Sequence, residues 1–256
     1  MSNSPLVDYT KISPNKTSSR NHKIDTITIH CVVGQTSVES LGNIFAPTSR
    51  QASCNYGIGL DGRIGMYCEE KDRSWCSSNG DNDNRAITIE VASDTTEPYA
   101  VNAKAYSALL DLVTDICKRN GIKKLLWKAD KSLIGQVDKQ NMTVHRWFAN
   151  KSCPGTYLYN KHPEIAAEVN KRLGVIETPV VTQPTEEIQS YCVKVTIADL
   201  NIRKGPGTNY ENTGKFTGKG IFTIIAESKG TGSTKGWGKL KSGVGWISLD
   251  YAEKVS

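Results

Sequence analysis

Two stretches in which hydrophobic and polar residues alternate stand out near the start of the chain. Within residues 24–33, every second position from Ile27 to Val33 is apolar. His30 lies between two of these positions and so belongs to the opposite face of a strand. Residues 85–92 repeat the pattern, with isoleucine and valine on one face and Glu90 on the other. A period of two is typical of β-strands, whose side chains point alternately to opposite faces. Both stretches are therefore predicted to be strands.

Three further stretches have the spacing of amphipathic helices, and one has that of a hairpin. Residues 36–45 begin with a Thr-x-x-Glu capping box, and residues 98–120 carry a long apolar stripe. Pro163 suits the first turn of a helix that Gly174 ends. The Asp-Gly pair at 61–62 lies between two short apolar runs and predicts a hairpin. The alternation predicts an α/β domain over residues 1–174, with a mixed central β-sheet flanked by helices.

The character of the chain changes after this domain. Residues 175–190 are rich in Pro, Thr and Glu, show no periodicity and are predicted to be a linker. Residues 191–256 contain short β-rich runs separated by glycine-rich turns, with no helical stripe. This pattern predicts a small all-β barrel.

Composition indicates where in the cell the protein is made and whether it enters a membrane. No apolar run approaches the roughly 18–20 residues that span a bilayer, which argues against membrane insertion. The first twenty residues are polar and lack the apolar core of a secretory signal. We therefore expect synthesis in the cytoplasm without a signal peptide, and a separate route of release if the substrate lies outside. The seven cysteines, an odd number spread along the chain, argue against a disulfide framework and leave thiols available for metal binding.

Charge is concentrated in the C-terminal part. The chain carries a net charge of +6, of which residues 191–256 contribute +5, from ten Lys and Arg against five Asp and Glu. A basic module is attracted to polyanions, so nucleic acid, a membrane surface and anionic wall polymers all qualify. A solvated basic surface with no partner would have the same composition.

The two predicted strands suggest a shared polar face. If they are neighbours, His30 and Glu90 project from the same side of the sheet. A histidine and a carboxylate in the middle of core strands are costly without partners, which favours a site. The alternative is a structural histidine that is hydrogen-bonded within the core.

A second cluster, TVHRWFANKSCPG, occupies residues 143–155 and contains His145, Lys151 and Cys153. Imidazole nitrogen and thiolate sulfur are both good zinc ligands, and three protein ligands with one open position form the catalytic pattern, so His30 could be the third. Lys151 could lower the pKa of the cysteine or stabilise negative charge on a reacting oxygen. The alternative is a surface loop in which the lysine and cysteine are incidental.

These motifs together resemble a known family. TITIHC, NYGIGLDGRI, NRAITIEV and HRWFANKSCPG, within residues 20–174, resemble the type-2 N-acetylmuramoyl-L-alanine amidases, which share a fold with peptidoglycan recognition proteins. The resemblance implies cleavage of the amide between N-acetylmuramic acid and L-alanine of the peptidoglycan stem peptide. It implies a zinc ion held by His30, His145 and Cys153. It further implies that Glu90 is the general acid or base and that Lys151 stabilises the oxyanion.

The chain departs from that family's pattern at two places. Many members have an aromatic residue followed by histidine at the start of the hairpin, where this chain has Cys54 and Asn55 followed by Tyr56. Many also have Trp-His before the strand that carries the glutamate, where this chain has Trp75 and Cys76. No tyrosine role is therefore assigned, Trp75 is expected to form a wall of the cleft, and Cys76 is expected to be structural.

The C-terminal part resembles bacterial Src homology 3-like domains, most clearly in LNIRKGPGTNY at residues 200–210. Such domains, when attached to wall hydrolases, bind peptidoglycan, which implies the Gram-positive cell wall as partner. Aromatic residues that could stack on sugar or peptide if exposed are Tyr210, Trp237, Trp246 and Tyr251. The alternative, which is favoured for Trp246, is that this residue and one or more of the others fill the barrel core.

The combination resembles a phage or prophage endolysin. A bacterial autolysin of the same activity is the nearest alternative, and a non-catalytic peptidoglycan-binding protein is the alternative of a different class. All three candidate zinc ligands are present, which favours an enzyme. A nucleic-acid-binding protein would explain the basic barrel but not His30, Glu90 and the His145–Cys153 cluster. The sequence indicates no oligomeric state.

Overall fold

The structure is a computed structural model that describes residues 2–175, 190–208, 210 and 212–255. The chain divides into two compact units, Met1–Ile176 and Glu177–Ser256. The predicted linker at 175–190 lies, apart from its two end residues, outside the described part. Across the described residues, no helix combines the length and apolar character needed to span a membrane.

The first unit is built on a mixed β-sheet. Its strands are β1 (Tyr9–Thr10), β2 (Lys16–Thr17), β3 (Thr26–Cys31), β4 (Tyr56–Ile58), β5 (Ile64–Met66), β6 (Arg73–Ser74), β7 (Ala86–Val91) and β8 (Met142–Thr143). The main sheet has the order β1-β5-β4-β7-β3-β8, and β2 pairs with β6 separately. β4 and β5 form the predicted antiparallel hairpin, whereas β4, β7, β3 and β8 run parallel to one another.

Helices pack on this sheet. They are α1 (Val38–Phe45), α2 (Gly80–Arg85), α3 (Ala103–Asn120) and α4 (Gly155–Arg172). The main core lies between the sheet and the two long helices and includes Ile27, Ile89, Leu109 and Val169. A second apolar cluster, which includes Leu41 and Phe45 of α1, covers part of the other face.

The starts of three helices differ from the predictions. The side chain that caps α1 is Ser37, which accepts from the Ser40 N–H at 3.2 Å, and not Thr36. α3 begins at Ala103, where the side chain of Asn102 caps it, and not at residue 98. α4 begins eight residues before Pro163, which lies inside the helix. Burial of the stripe that continues through it outweighs the hydrogen bond that proline removes.

The second unit is an antiparallel sheet. Its strands are β9 (Tyr191–Val195), β10 (Asn201–Arg203), β11 (Asn212–Phe216), β12 (Gly220–Ser228), β13 (Trp237–Leu240), β14 (Trp246–Ser248) and β15 (Ala252–Val255), in the order β11-β10-β14-β13-β12-β9-β15. Trp246 is buried, as expected, and packs with Trp237 and Ala226 in a small cluster separate from the main core of this unit. Trp237 is therefore not an exposed stacking surface, whereas Tyr210 and Tyr251 are exposed. An α/β unit with a mixed sheet followed by an all-β unit confirms the predicted fold class.

Candidate active site

The centre of the site is a pair of adjacent positions on two parallel strands. β3 and β7 are neighbours, and His30 lies opposite Glu90 in their register. Paired positions of neighbouring strands point to the same face, so the expected shared face is present. His30 is buried and Glu90 is half-buried.

A turn after β8 brings the other candidate ligands to this face. His145 begins a short 3-10 turn, His145–Trp147, two residues after the strand ends at Thr143. The Arg146 N–H donates to the Cys153 carbonyl at 3.1 Å, which closes the loop between the two candidate ligands. Stacking of Trp147 on Trp127, with ring centroids 5.1 Å apart, anchors the turn to the rest of the unit.

The three predicted metal ligands converge. One donor atom each from His30, His145 and Cys153 lies within 4.8 Å of the other two. The Cys153 Sγ is 3.3 Å from the His30 Nδ1, and the two imidazole rings are 5.2 Å apart. Tetrahedral zinc with ordinary bond lengths separates nitrogen and sulfur ligands by about 3.5 Å, so the donor types and their spacing fit zinc.

The protonation state of the His30 and His145 rings also favours metal binding. Burial, together with the neighbouring His145, lowers the pKa of His30 to about 3. Burial, together with the Lys151 ammonium, lowers the pKa of His145. Both rings are therefore neutral near pH 7, which is the form that binds a metal.

Glu90 lies in a desolvated pocket beside these ligands. Burial raises the pKa of Glu90 to about 8, while the Arg50 guanidinium opposes the shift. Its Oε2 is buried and has no hydrogen-bond partner among the described residues. The Cys76 Sγ lies 4.0 Å from Oε1, and burial with the nearby Glu90 raises the pKa of the Cys54 thiol. A carboxyl group with a raised pKa is suited to exchanging protons near neutral pH.

The site opens into a cleft of about 490 Å³. Its apolar lining residues include Ile44, Phe45 and the predicted wall residue Trp75. Its cationic lining residues are Arg50, Arg73 and Lys151. Sequence reasoning did not single out the two arginines, because Arg50 ends a short 3-10 helix and Arg73 begins β6, and no local pattern marks either residue.

The two departures from the family pattern have different outcomes in the structure. Tyr56 is buried on β4, and its hydroxyl donates to Glu70 at 2.7 Å, in a network with Arg119 rather than in the cleft. Cys76, expected to be structural, lines the cleft beside Glu90. Two thiols, Cys54 and Cys76, therefore border the carboxylate.

A comparison with protein families identifies the family of the first unit. The model of the type-2 N-acetylmuramoyl-L-alanine amidase family matches residues 20–156, which is more than half of the chain. The chain belongs to this family. The matched amidase region contains both histidines of the candidate metal site, together with Cys153, Glu90 and Lys151.

Solved structures similar to the amidase unit include a mutant endolysin from Bacillus subtilis, with 17% identity and a TM-score of 0.48, covering 64% of this chain and 99% of that one. An endolysin N-acetylmuramoyl-L-alanine amidase from Clostridium intestinale shows 18% identity and a TM-score of 0.44, covering 64% and 93%. The Ph2119 endolysin from a Thermus scotoductus bacteriophage shows 16% identity and a TM-score of 0.37, covering 59% and 89%. No curated protein sequence matches the chain.

Proposed function

We propose that this type-2 amidase is a zinc-dependent peptidoglycan hydrolase. It cleaves the amide that joins the lactyl group of N-acetylmuramic acid to L-alanine of the stem peptide. The observation that carries the proposal is the convergence of His30, His145 and Cys153 beside the desolvated carboxyl group of Glu90. Membership of the amidase family supports the choice of bond.

Zinc would be held by His30, His145 and Cys153, whose donor atoms and spacing suit it. When bound, zinc supplies Lewis-acid polarisation of the scissile carbonyl and makes water a better nucleophile at neutral pH. A ligand set of two neutral imidazoles and one thiolate leaves a position open for substrate.

The chain's own residues supply the proton transfers and the remaining electrostatics. Glu90 takes a proton from the attacking water as the carbon–oxygen bond forms. It then gives that proton to the leaving nitrogen as the carbon–nitrogen bond breaks, releasing the lactyl carboxylic acid and the alanine amine. The acid's proton passes to the amine, so the products are a carboxylate and an ammonium group. Lys151, exposed at the mouth of the cleft, stabilises the negative charge that develops on the carbonyl oxygen.

The all-β unit is proposed to be a Src homology 3-like domain that binds the Gram-positive cell wall. Its net charge of +5 over residues 191–256 favours contact with anionic wall polymers. Tyr210 and Tyr251 are exposed by 41% and 56% and offer stacking surfaces for sugar or peptide.

We further propose that the protein acts as an endolysin, made in the cytoplasm and active on the wall after release. An amidase unit joined to a basic all-β unit suits an enzyme that must stay on an insoluble substrate. Expression inside a Gram-positive host should leave the cells intact until the membrane is permeabilised. Lysis of intact cells without permeabilisation would contradict this setting.

The zinc-dependent activity is tested by metal removal and return. Treatment with a chelator should stop the clearing of purified walls, and stoichiometric zinc should restore it. Full activity in chelator, with zinc shown to be absent by elemental analysis, would contradict the proposal.

A further inference from the structure

The hydroxyl group of Ser78 contacts one of the candidate zinc ligands from outside the ligand set. Its Oγ lies 3.0 Å from the Nε2 of His145, although the two residues are 67 positions apart in the chain. Ser78 lies in the loop between β6 and α2, and both residues line the cleft. Because this contact occupies Nε2, the Nδ1 of His145 is the ring nitrogen that remains to bind a metal.

The loop that carries Ser78 is fixed by a buried carboxylate. Asp83, in α2, accepts from the N–H groups of Cys76 and Ser77 at 2.9 and 3.1 Å. It also accepts from the Ser77 hydroxyl at 2.6 Å. Asp83 and Ser77 are both buried, so this anchor is shielded from water and holds the loop in one position.

The same anchor connects the loop to both strands that lead to the histidine ligands. The side-chain amide of Asn82 donates to the hydroxyls of Ser77 and Thr28, each at 3.1 Å. Its carbonyl accepts from the Thr143 hydroxyl at 2.9 Å. Thr28 and Thr143 each lie two residues before a histidine ligand. One buried network therefore sets the loop relative to both ligands.

The backbone at Ser78 is in the left-handed region, with φ of 61°. This conformation is unfavourable for residues other than glycine, asparagine and aspartate, and it persists only where the surroundings hold it. The network through Asp83 supplies that constraint. In this conformation the Ser78 hydroxyl lies 3.0 Å from the imidazole Nε2.

We propose that Ser78 is a positioning residue for the metal site. Its hydroxyl accepts a hydrogen bond from the Nε2–H of His145, which fixes the tautomer in which Nδ1 is free to bind zinc. Metal-binding histidines commonly have their second nitrogen held in this way, which sets ring orientation and ligand basicity. The assignment rests on the proposed zinc function.

The test is the zinc affinity of the full chain, measured by competition with a chromophoric chelator at fixed pH. Ser78→Ala and Ser78→Gly both remove the hydroxyl, and the glycine variant also relieves the left-handed backbone. Both should bind zinc about 10–100-fold more weakly, the usual effect of losing such a partner. Ser19, an exposed serine with φ of 60°, provides the matched control, and Ser19→Gly should leave the affinity unchanged.

A second readout reports the tautomer directly. Nitrogen-15 spectra of the zinc-free, histidine-labelled protein should show His145 protonated at Nε2 in the native chain and a mixture of tautomers in Ser78→Ala. Affinity within twofold of the native chain in both Ser78 variants would overturn the positioning role and leave the zinc amidase standing. Weakened zinc binding in Ser78→Ala combined with native zinc affinity in Ser78→Gly would also overturn the positioning role. The backbone conformation at position 78, and not the hydroxyl, would then account for the change in affinity. A native chain that binds no zinc would overturn the proposed function itself.

Discussion

His30 and Glu90 occupy directly paired positions on the neighbouring parallel strands β3 and β7. A candidate metal ligand and the candidate proton-transfer group are therefore held relative to each other by the hydrogen-bonded ladder of the sheet. Cys153 and Lys151, in contrast, come from the loop after β8. In the proposed mechanism, the strand pair holds one ligand and the proton-transfer group, and the loop after β8 supplies the third ligand, Cys153, and the cation, Lys151.

Replacing the Glu90 carboxyl should separate catalysis from metal binding. Glu90→Gln keeps the shape of the side chain but cannot accept the proton of water, so wall clearing should fall by about 10²–10⁴-fold. Zinc content should remain at the native level, because Glu90 is not one of the three proposed ligands. Glu168→Gln, on the surface of α4, is the matched control. Near-native clearing by Glu90→Gln would remove this residue from the mechanism.

Because the Glu90 carboxyl group is desolvated, we also expect the stability of the zinc-free protein to depend on pH. The folded pKa of Glu90, about 8, lies above its ordinary value of 4.5, so between these pH values the folded state binds more protons than the unfolded state. The contribution of Glu90 to the free energy of unfolding therefore falls as pH rises through this window. Urea midpoints of the zinc-free Glu90→Gln and native chains should agree near pH 4 and diverge toward pH 8, with the variant more stable. A difference that does not change with pH would contradict the assigned shift.

Cys153 should be essential for zinc. Cys153→Ser replaces a thiolate with a hydroxyl, which is a poor zinc ligand, and elemental analysis should show loss of roughly one zinc per chain. Cys192→Ser, at a half-buried cysteine of the all-β unit, is the matched control and should keep the metal. Full zinc retention in Cys153→Ser would contradict the ligand assignment.

Strand periodicity predicted that His30 and Glu90 share a face on condition that their strands are neighbours, because the direction of side chains in a strand is set locally. The pairing of β3 with β7 depends on tertiary folding, and the structure supplied it. The same reasoning could not find Ser78, Arg50 or Cys76, since their positions depend on loops that meet only after folding. Pro163 misled the prediction of α4, because the apolar stripe on both sides of it is buried in the core. At Pro163 the local signal for a helix start was therefore weaker than tertiary burial.

The all-β unit should fold alone and bind Gram-positive walls without cutting them. In a fragment of residues 191–256, Tyr251→Ala should weaken sedimentation with walls by roughly five- to tenfold, as for loss of one aromatic contact, and leave the fold intact. Trp246→Ala should instead destabilise the fragment, because this side chain is buried against Ala226 and Trp237. If the native fragment stays in the supernatant at low salt while the full chain sediments, the wall-binding role is wrong.

The products of wall digestion test most directly whether the amide between N-acetylmuramic acid and L-alanine is the bond that is cut. Purified peptidoglycan incubated with the zinc-loaded native chain should release new N-terminal alanine and no new reducing sugar ends, and Glu90→Gln should release neither. New reducing ends without N-terminal alanine would identify a glycosidase and contradict the assignment of the site.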